Sequence, residues 1–209
     1  GTHRTDASHW QELKDGFQYI RRNRLLRYLV LLAVVPMFFG QPYITMLAVF
    51  ARSVLKIGPM GLGLLTSVAS LGAITGALAV AGRRRGPQIR LMVGGIIVFG
   101  VSLILFSFSR WLIPSLLFLF IAGGANVFYN STNNAMIQMS VEDSYRGRVL
   151  SMLFINRGLV PLGTAFTGFL AEKMGAPVAV GFMAAMLIVL GVIALLTRPR
   201  GGATALAAQ

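Results

Sequence analysis

The chain is predicted to be an all-α membrane protein of six transmembrane helices. Three observations predict this. Charged residues make up only 12% of its 209 residues, where a soluble domain carries about 25%. Long uncharged runs recur along it. Its Lys and Arg residues gather on one side of those runs. With 56% hydrophobic residues and a mean hydropathy of +0.73, the solvent implied for the body of the chain is lipid.

A helix crossing a hydrocarbon core of about 30 Å needs about 20 apolar residues. Leu29–Phe50 is uncharged and 22 residues long. Gly61–Gly82, Leu91–Ser109 and Trp111–Met139 follow, and the second half of Trp111–Met139 turns polar. Val149–Ala171 is the fifth run, interrupted by Arg157 alone, and Ala176–Thr197 is the sixth. Such lengths exceed ordinary strands. Runs two, three and six lack the charged face of a soluble amphipathic helix. Arg110 alone separates runs three and four, so those helices are expected to be antiparallel neighbours. Gly72 and Gly76 form a GxxxG pair, a spacing that lets helix backbones approach closely.

Of the 19 Lys and Arg residues, 14 fall in the N-terminal segment, the second and fourth loops and the C-terminal segment. Arg52, Lys56, Arg110 and Lys173 are on the other side. This bias puts both termini in the cytoplasm. It also explains the net charge of +13 by contact with anionic lipid headgroups, so no nucleic-acid partner is expected. Residues 1–27 read as a cytoplasmic linker, 28–199 as the six-helix domain and 200–209 as a cytoplasmic tail. Gly1 is expected to continue a longer polypeptide.

Catalytic readings find no support. There is no cysteine, and His3 and His9 sit before the first run, so no membrane-embedded nucleophile–histidine pair or zinc cluster can be built. No GxxxxGK[ST] loop is present. No cofactor and no metal are expected.

Polar groups inside a membrane are costly and tend to face a cavity. At 100° per residue, Asn126, Asn130 and Asn133 fall within about 60° of one another, with Tyr129 and Asn134 flanking them. Gln41 and Thr45 are four apart in run one, which Pro36 and Pro42 interrupt; proline removes a backbone bond and kinks a helix. Arg157 lies eight residues into run five, about 12 Å deep at 1.5 Å per residue, without a carboxylate inside any apolar run. Gln41, Thr45, Asn126, Asn130, Asn133 and Arg157 are therefore the candidate substrate-binding set. Glu142, Asp143, Arg146 and Arg148 cluster in the fourth loop and are the candidate gating set. Interhelical hydrogen bonding and solvated surface pairs are the competing structural readings.

Thr75-Gly76-Ala77-Leu78-Ala79 in run two matches Thr167-Gly168-Phe169-Leu170-Ala171 in run five, each preceded by Leu-Gly. Runs two and five are the middle helices of two three-helix units crossing in opposite senses. This is the pattern of a 3+3 inverted repeat, the architecture of one half of many secondary transporters.

Tyr145-Arg146-Gly147-Arg148-Val149-Leu150-Ser151, then Pro161-Leu162-Gly163 and Gly168–Pro177, resemble the tenth-to-twelfth helix region of the major facilitator superfamily. The resemblance is closest to the drug and siderophore exporter branch that includes the enterobactin exporter and macrolide efflux proteins. Gly16–Asn23 is similar to the linker before that branch's seventh helix. The Gly82–Gly86 loop lacks the Asp that the superfamily often carries there. The resemblance implies the C-terminal half of an exporter in the plasma membrane (the bacterial inner membrane). Its partners would be the bilayer, a six-helix N-terminal half and a small amphipathic or anionic substrate, with runs one and four lining the cavity. The alternative is a non-transporting or half-size scaffold acting as a homodimer.

Overall fold

The computed structural model describes residues 18, 20–83, 88–141, 147 and 158–197. Seven α-helices are described: α1 Arg24–Phe39, α2 Tyr43–Val49, α3 Gly58–Ala81, α4 Ile89–Phe108, α5 Leu112–Ser140, α6 Leu159–Met174 and α7 Ala176–Thr197. No strand occurs among the described residues. Runs two, three, four and six each coincide with one helix to within three residues at either end. Among the described residues, five stretches are long and apolar enough to cross a membrane. The described part of run five, α6, has 16 residues and by itself falls short of about 20.

Run one is a broken span. It starts earlier than the apolar pattern indicates, because Asn23 caps α1, its side-chain oxygen accepting from Leu25 N at 3.0 Å and Leu26 N at 3.2 Å. Asn23→Ala is expected to lower stability by about 1 kcal/mol, read as a lower thermal midpoint in detergent. The helix stops at Gly40 and restarts at Tyr43. Pro42 has no N–H for the Phe38 carbonyl, and Pro36 has none for Leu32. The Gly40 and Gln41 amides both turn to the Pro36 carbonyl, at 2.8 and 3.0 Å. Past α2 the backbone widens into a π-turn at Phe50–Val54. The reversal into α3 uses left-handed backbone at Lys56 (φ 55°) and Gly58 (φ 68°). The α6–α7 reversal is a single residue, Gly175, at φ 84° and ψ 150°, a region that essentially only glycine occupies.

α5 is the central element, packed between α3 and α4 and touching α1. α4 lies on α7, and α6 packs on both α7 and α1. The α3–α5 contact is backbone on backbone. A Cβ at Gly72 would strike the Phe120 carbonyl, one at Gly76 the Gly124 carbonyl, and one at Gly123 the Ala69 carbonyl. The Gly72–Phe120 and Gly76–Gly124 pairs advance together, so α3 and α5 run parallel. At the end of α3, the Arg83 guanidinium lies over the Phe128 ring, 5.8 Å from its centroid.

The aromatic core joins run one to its neighbours. Phe99 of α4 has Tyr43 at 5.8 Å and Tyr129 at 6.1 Å between ring centroids. Phe50 of the π-turn lies 4.6 Å from Phe106. Outward faces are apolar instead of charged: Leu71, Ile74 and Leu78 on α3 and Val192, Ile193 and Leu196 on α7 are exposed. Contiguous apolar surface of this kind belongs against lipid or another protein.

Candidate functional site

The break in run one opens a cleft of about 340 Å³ between α2, α3 and α5. Gln41 enters it from the break, with Tyr43, Ile44 and Leu47 of α2 beside it. Thr66, Ala69, Ser70 and Ala73 of α3 form the second wall; Gly123, Asn126, Val127 and Asn130 of α5 form the third. No charged side chain lines it among the described residues.

The lining separates into groups already satisfied and groups free to bind. Thr66 donates to its own helix, to the Leu62 carbonyl at 3.0 Å and to Gly63 at 2.9 Å. Ser70 donates to the Thr66 carbonyl at 2.9 Å. These are the back-bonds that hydroxyl side chains commonly make in helices. The carboxamides are different. Asn130 Nδ2 reaches Asn126 Oδ1 only at 3.5 Å, the outer limit of a hydrogen bond. The Gln41 carboxamide has no hydrogen-bond partner among the described residues. Three carboxamides, each with donor and acceptor capacity, thus converge on one cleft with apolar walls. Such a set can orient a polar solute; it contains no group suited to proton transfer or nucleophilic attack.

Three of the six candidate binding residues, Gln41, Asn126 and Asn130, are brought together here. Thr45 is exposed and outside the lining, because the break at Gly40–Pro42 resets the helical phase between it and Gln41. Its hydroxyl donates to the Pro42 carbonyl at 2.8 Å. Asn133 is 1% exposed and lies along α5 beyond the cleft. Arg157, Glu142, Asp143, Arg146 and Arg148 lie outside the described residues. Thr66 and Ser70 are lining residues that the sequence reading did not pick out. Their signal was an i, i+4 hydroxyl pair in an uncharged run whose other hydroxyl residues are Ser67 and Thr75.

The transmembrane secretion effector profile of the major facilitator superfamily matches residues 7–208. The chain belongs to that family. It is therefore a multi-pass membrane protein of a transporter family. It is 24% identical over 176 residues to the staphyloferrin A transporter of Staphylococcus aureus strain NCTC 8325 / PS 47. That match takes in 81% of this chain and 43% of the relative, so the chain spans less than half the length of the transporter it resembles. No solved structure matches it.

Proposed function

We propose that the chain is the C-terminal half of a secondary transporter that exports a small amphipathic or anionic molecule by alternating access. The observation that carries this reading is the convergence of Gln41, Asn126 and Asn130 on a cleft at the break of a membrane span. Discontinuous spans at a binding site are a recurrent device of secondary transporters. The relative's name, a staphyloferrin A transporter, supports a siderophore-type cargo. Residues 1–27 would be the linker from an N-terminal six-helix half, 28–199 the six-helix domain and 200–209 its tail. Both termini would lie in the cytoplasm of a bacterial cell. Arg157 would meet the charge of an anionic cargo, and Glu142, Asp143, Arg146 and Arg148 would form the cytoplasmic gate.

An inverted 3+3 repeat has support in the packing. α3 on α5 is mirrored by α6 on α1, and α4 on α5 by α7 on α1. Gly72 abuts the Phe120 carbonyl, and its counterpart Gly163 abuts the Phe38 carbonyl. Thr75 donates to the Gly72 carbonyl at 2.7 Å and Thr167 to the Gly163 carbonyl at 2.8 Å. The sixth span of this arrangement would be α6 extended towards its N-terminus.

The test is cargo efflux from cells expressing the full-length protein, compared with Asn126→Leu. Removing one carboxamide leaves a polar group of the cargo unpaired, which costs about 1–3 kcal/mol. At about 1.4 kcal/mol per factor of ten, roughly tenfold weaker cargo affinity is expected, with the membrane level of the protein unchanged. Equal efflux by Asn126→Leu and the parent would sink the assignment of this cleft.

A further inference from the structure

Besides its carboxamides, the cleft is lined by the hydroxyl side chains of Thr66, Ser70 and Tyr43. Thr66 and Ser70 give their protons to carbonyls of α3, so towards a solute they can only accept. Tyr43 differs. It is 5% exposed, and its hydroxyl has no hydrogen-bond partner among the described residues. That oxygen is also not one of the fully enclosed, unpartnered atoms, which include the Tyr129 hydroxyl. The little exposure that Tyr43 keeps therefore includes its hydroxyl, and the space that Tyr43 lines is the cleft. A phenol set in an apolar wall with its proton unspent is costly unless an acceptor arrives.

The ring of Tyr43 is held from α4, and no residue of α4 lines the cleft among the described residues. Phe99 is fully buried and meets Tyr43 edge to face, with 5.8 Å between ring centroids and 73° between planes, a geometry that aromatic pairs favour. Phe99 also fills the space that a Cβ at Gly40 would need. It thus touches the break at both ends, at Gly40 where α1 stops and at Tyr43 where α2 starts. Tyr129 stacks on the same Phe99 ring, at 6.1 Å and 27°, and its own base is seated against Gly95, one turn along α4. Phe99 is therefore locked by its neighbours, and it fixes the direction of the Tyr43 side chain.

We propose that Tyr43 is the hydroxyl donor of the cleft, reading an acceptor oxygen of the cargo, and that Phe99, which does not line the cleft, is the residue that positions it. The pair selects for molecules that carry a carbonyl, carboxylate or similar oxygen. This inference rests on the cleft being the cargo site.

The test uses the full-length protein in detergent and two fluorescent probes. Prodan is an amphipathic naphthalene ketone; dimethylaminonaphthalene is its counterpart without the ketone. Tyr43→Phe is expected to weaken prodan binding about fivefold, the loss of one hydrogen bond, and to leave dimethylaminonaphthalene binding unchanged. Tyr129→Phe is the control, because it removes a hydroxyl that is buried without a partner; it should change neither affinity. Phe99→Leu should weaken prodan binding by a similar factor in the parent and by nothing further in Tyr43→Phe, since a residue that acts through the Tyr43 hydroxyl has nothing to position once that hydroxyl is gone. Phe99→Met is carried in parallel in case the leucine variant does not fold. Equal prodan affinity in the parent and Tyr43→Phe overturns the donor role; the cleft still stands as the site if Asn126→Leu weakens prodan binding. Losses from Phe99→Leu that add to those of Tyr43→Phe overturn the positioning role. Parent and Asn126→Leu binding both probes alike overturns the cleft reading on which the proposal rests.

Discussion

Gly72→Val is expected to destabilise the bundle by about 3 kcal/mol, the upper end of ordinary overpacking. α3 buries only Gly61, Leu65, Ala69, Gly72 and Gly76, so its attachment to α5 depends on this narrow face. At Gly72 the obstacle to a side chain is the carbonyl of Phe120, and at Gly76 that of Gly124. Both belong to helix backbone, which cannot swing aside as a side-chain tip can. The contact is reciprocal, since Gly123 of α5 meets the Ala69 carbonyl of α3. Valine would force the two helices apart along their whole length and widen the cleft between them. The measurement is the thermal midpoint of the purified protein in detergent, with membrane abundance as a second reading. Gly168→Ala is the matched control, because Gly168 holds the place of Gly76 in the repeated Thr-Gly motif yet a Cβ there meets nothing within 4 Å. It should be neutral or gain up to about 1 kcal/mol from the better helix propensity of alanine. A wild-type midpoint for Gly72→Val would show that the helices do not depend on this contact.

That contrast marks how far the sequence could be read. Five of the six spans were legible because a bilayer imposes a length, and runs such as Ala176–Thr197 fill it without a charge. The GxxxG spacing of Gly72 and Gly76 pointed to a close approach, but not to Phe120 and Gly124 as its other side. The repeated motif, read alone, gives Gly76 and Gly168 the same role; their surroundings differ, and only Gly76 is packed. The carboxamides were legible from helical arithmetic, since 126, 130 and 133 share a face at 100° per residue. Their division into a cleft-lining pair and an Asn133 outside the cleft depends on how the neighbouring helices lie against α5, which is a tertiary fact. Pro36 and Pro42 announced a bend in run one. The place where the helix stops was set by Gly40, whose missing Cβ makes room for the Phe99 ring. Thr45 lies outside the cleft for the same reason: a pairing based on four-residue spacing puts two side chains on one face only if the helix is continuous between them.

Pro42→Ala is expected to raise the thermal midpoint and to cut efflux roughly thirtyfold. Alanine restores an N–H to the position facing the Phe38 carbonyl and removes a ring that blocks continuous helix. The stability gain should be about 1 kcal/mol and not the ~3 kcal/mol of an interior proline, because Pro42 already sits at the entry to α2, with φ −57°, where proline is well tolerated. The break is also held by other contacts: Gly163 packs against Phe38 and Pro42, and Thr45 donates to the Pro42 carbonyl. The functional loss follows from geometry. Gln41 reaches the cleft because the chain unwinds between Gly40 and Tyr43. A continuous helix would carry its carboxamide round by a large part of a turn, leaving a polar group of the cargo unpaired at about 1–3 kcal/mol. Stability and transport should therefore move in opposite directions, the trade-off expected where function needs a weakened element. Pro42→Ala that transports like the parent with an unchanged midpoint would mean that the break is maintained by Gly40 and Gly163 alone. An unchanged midpoint with lost efflux would assign Pro42 to cargo contact instead of to the bend.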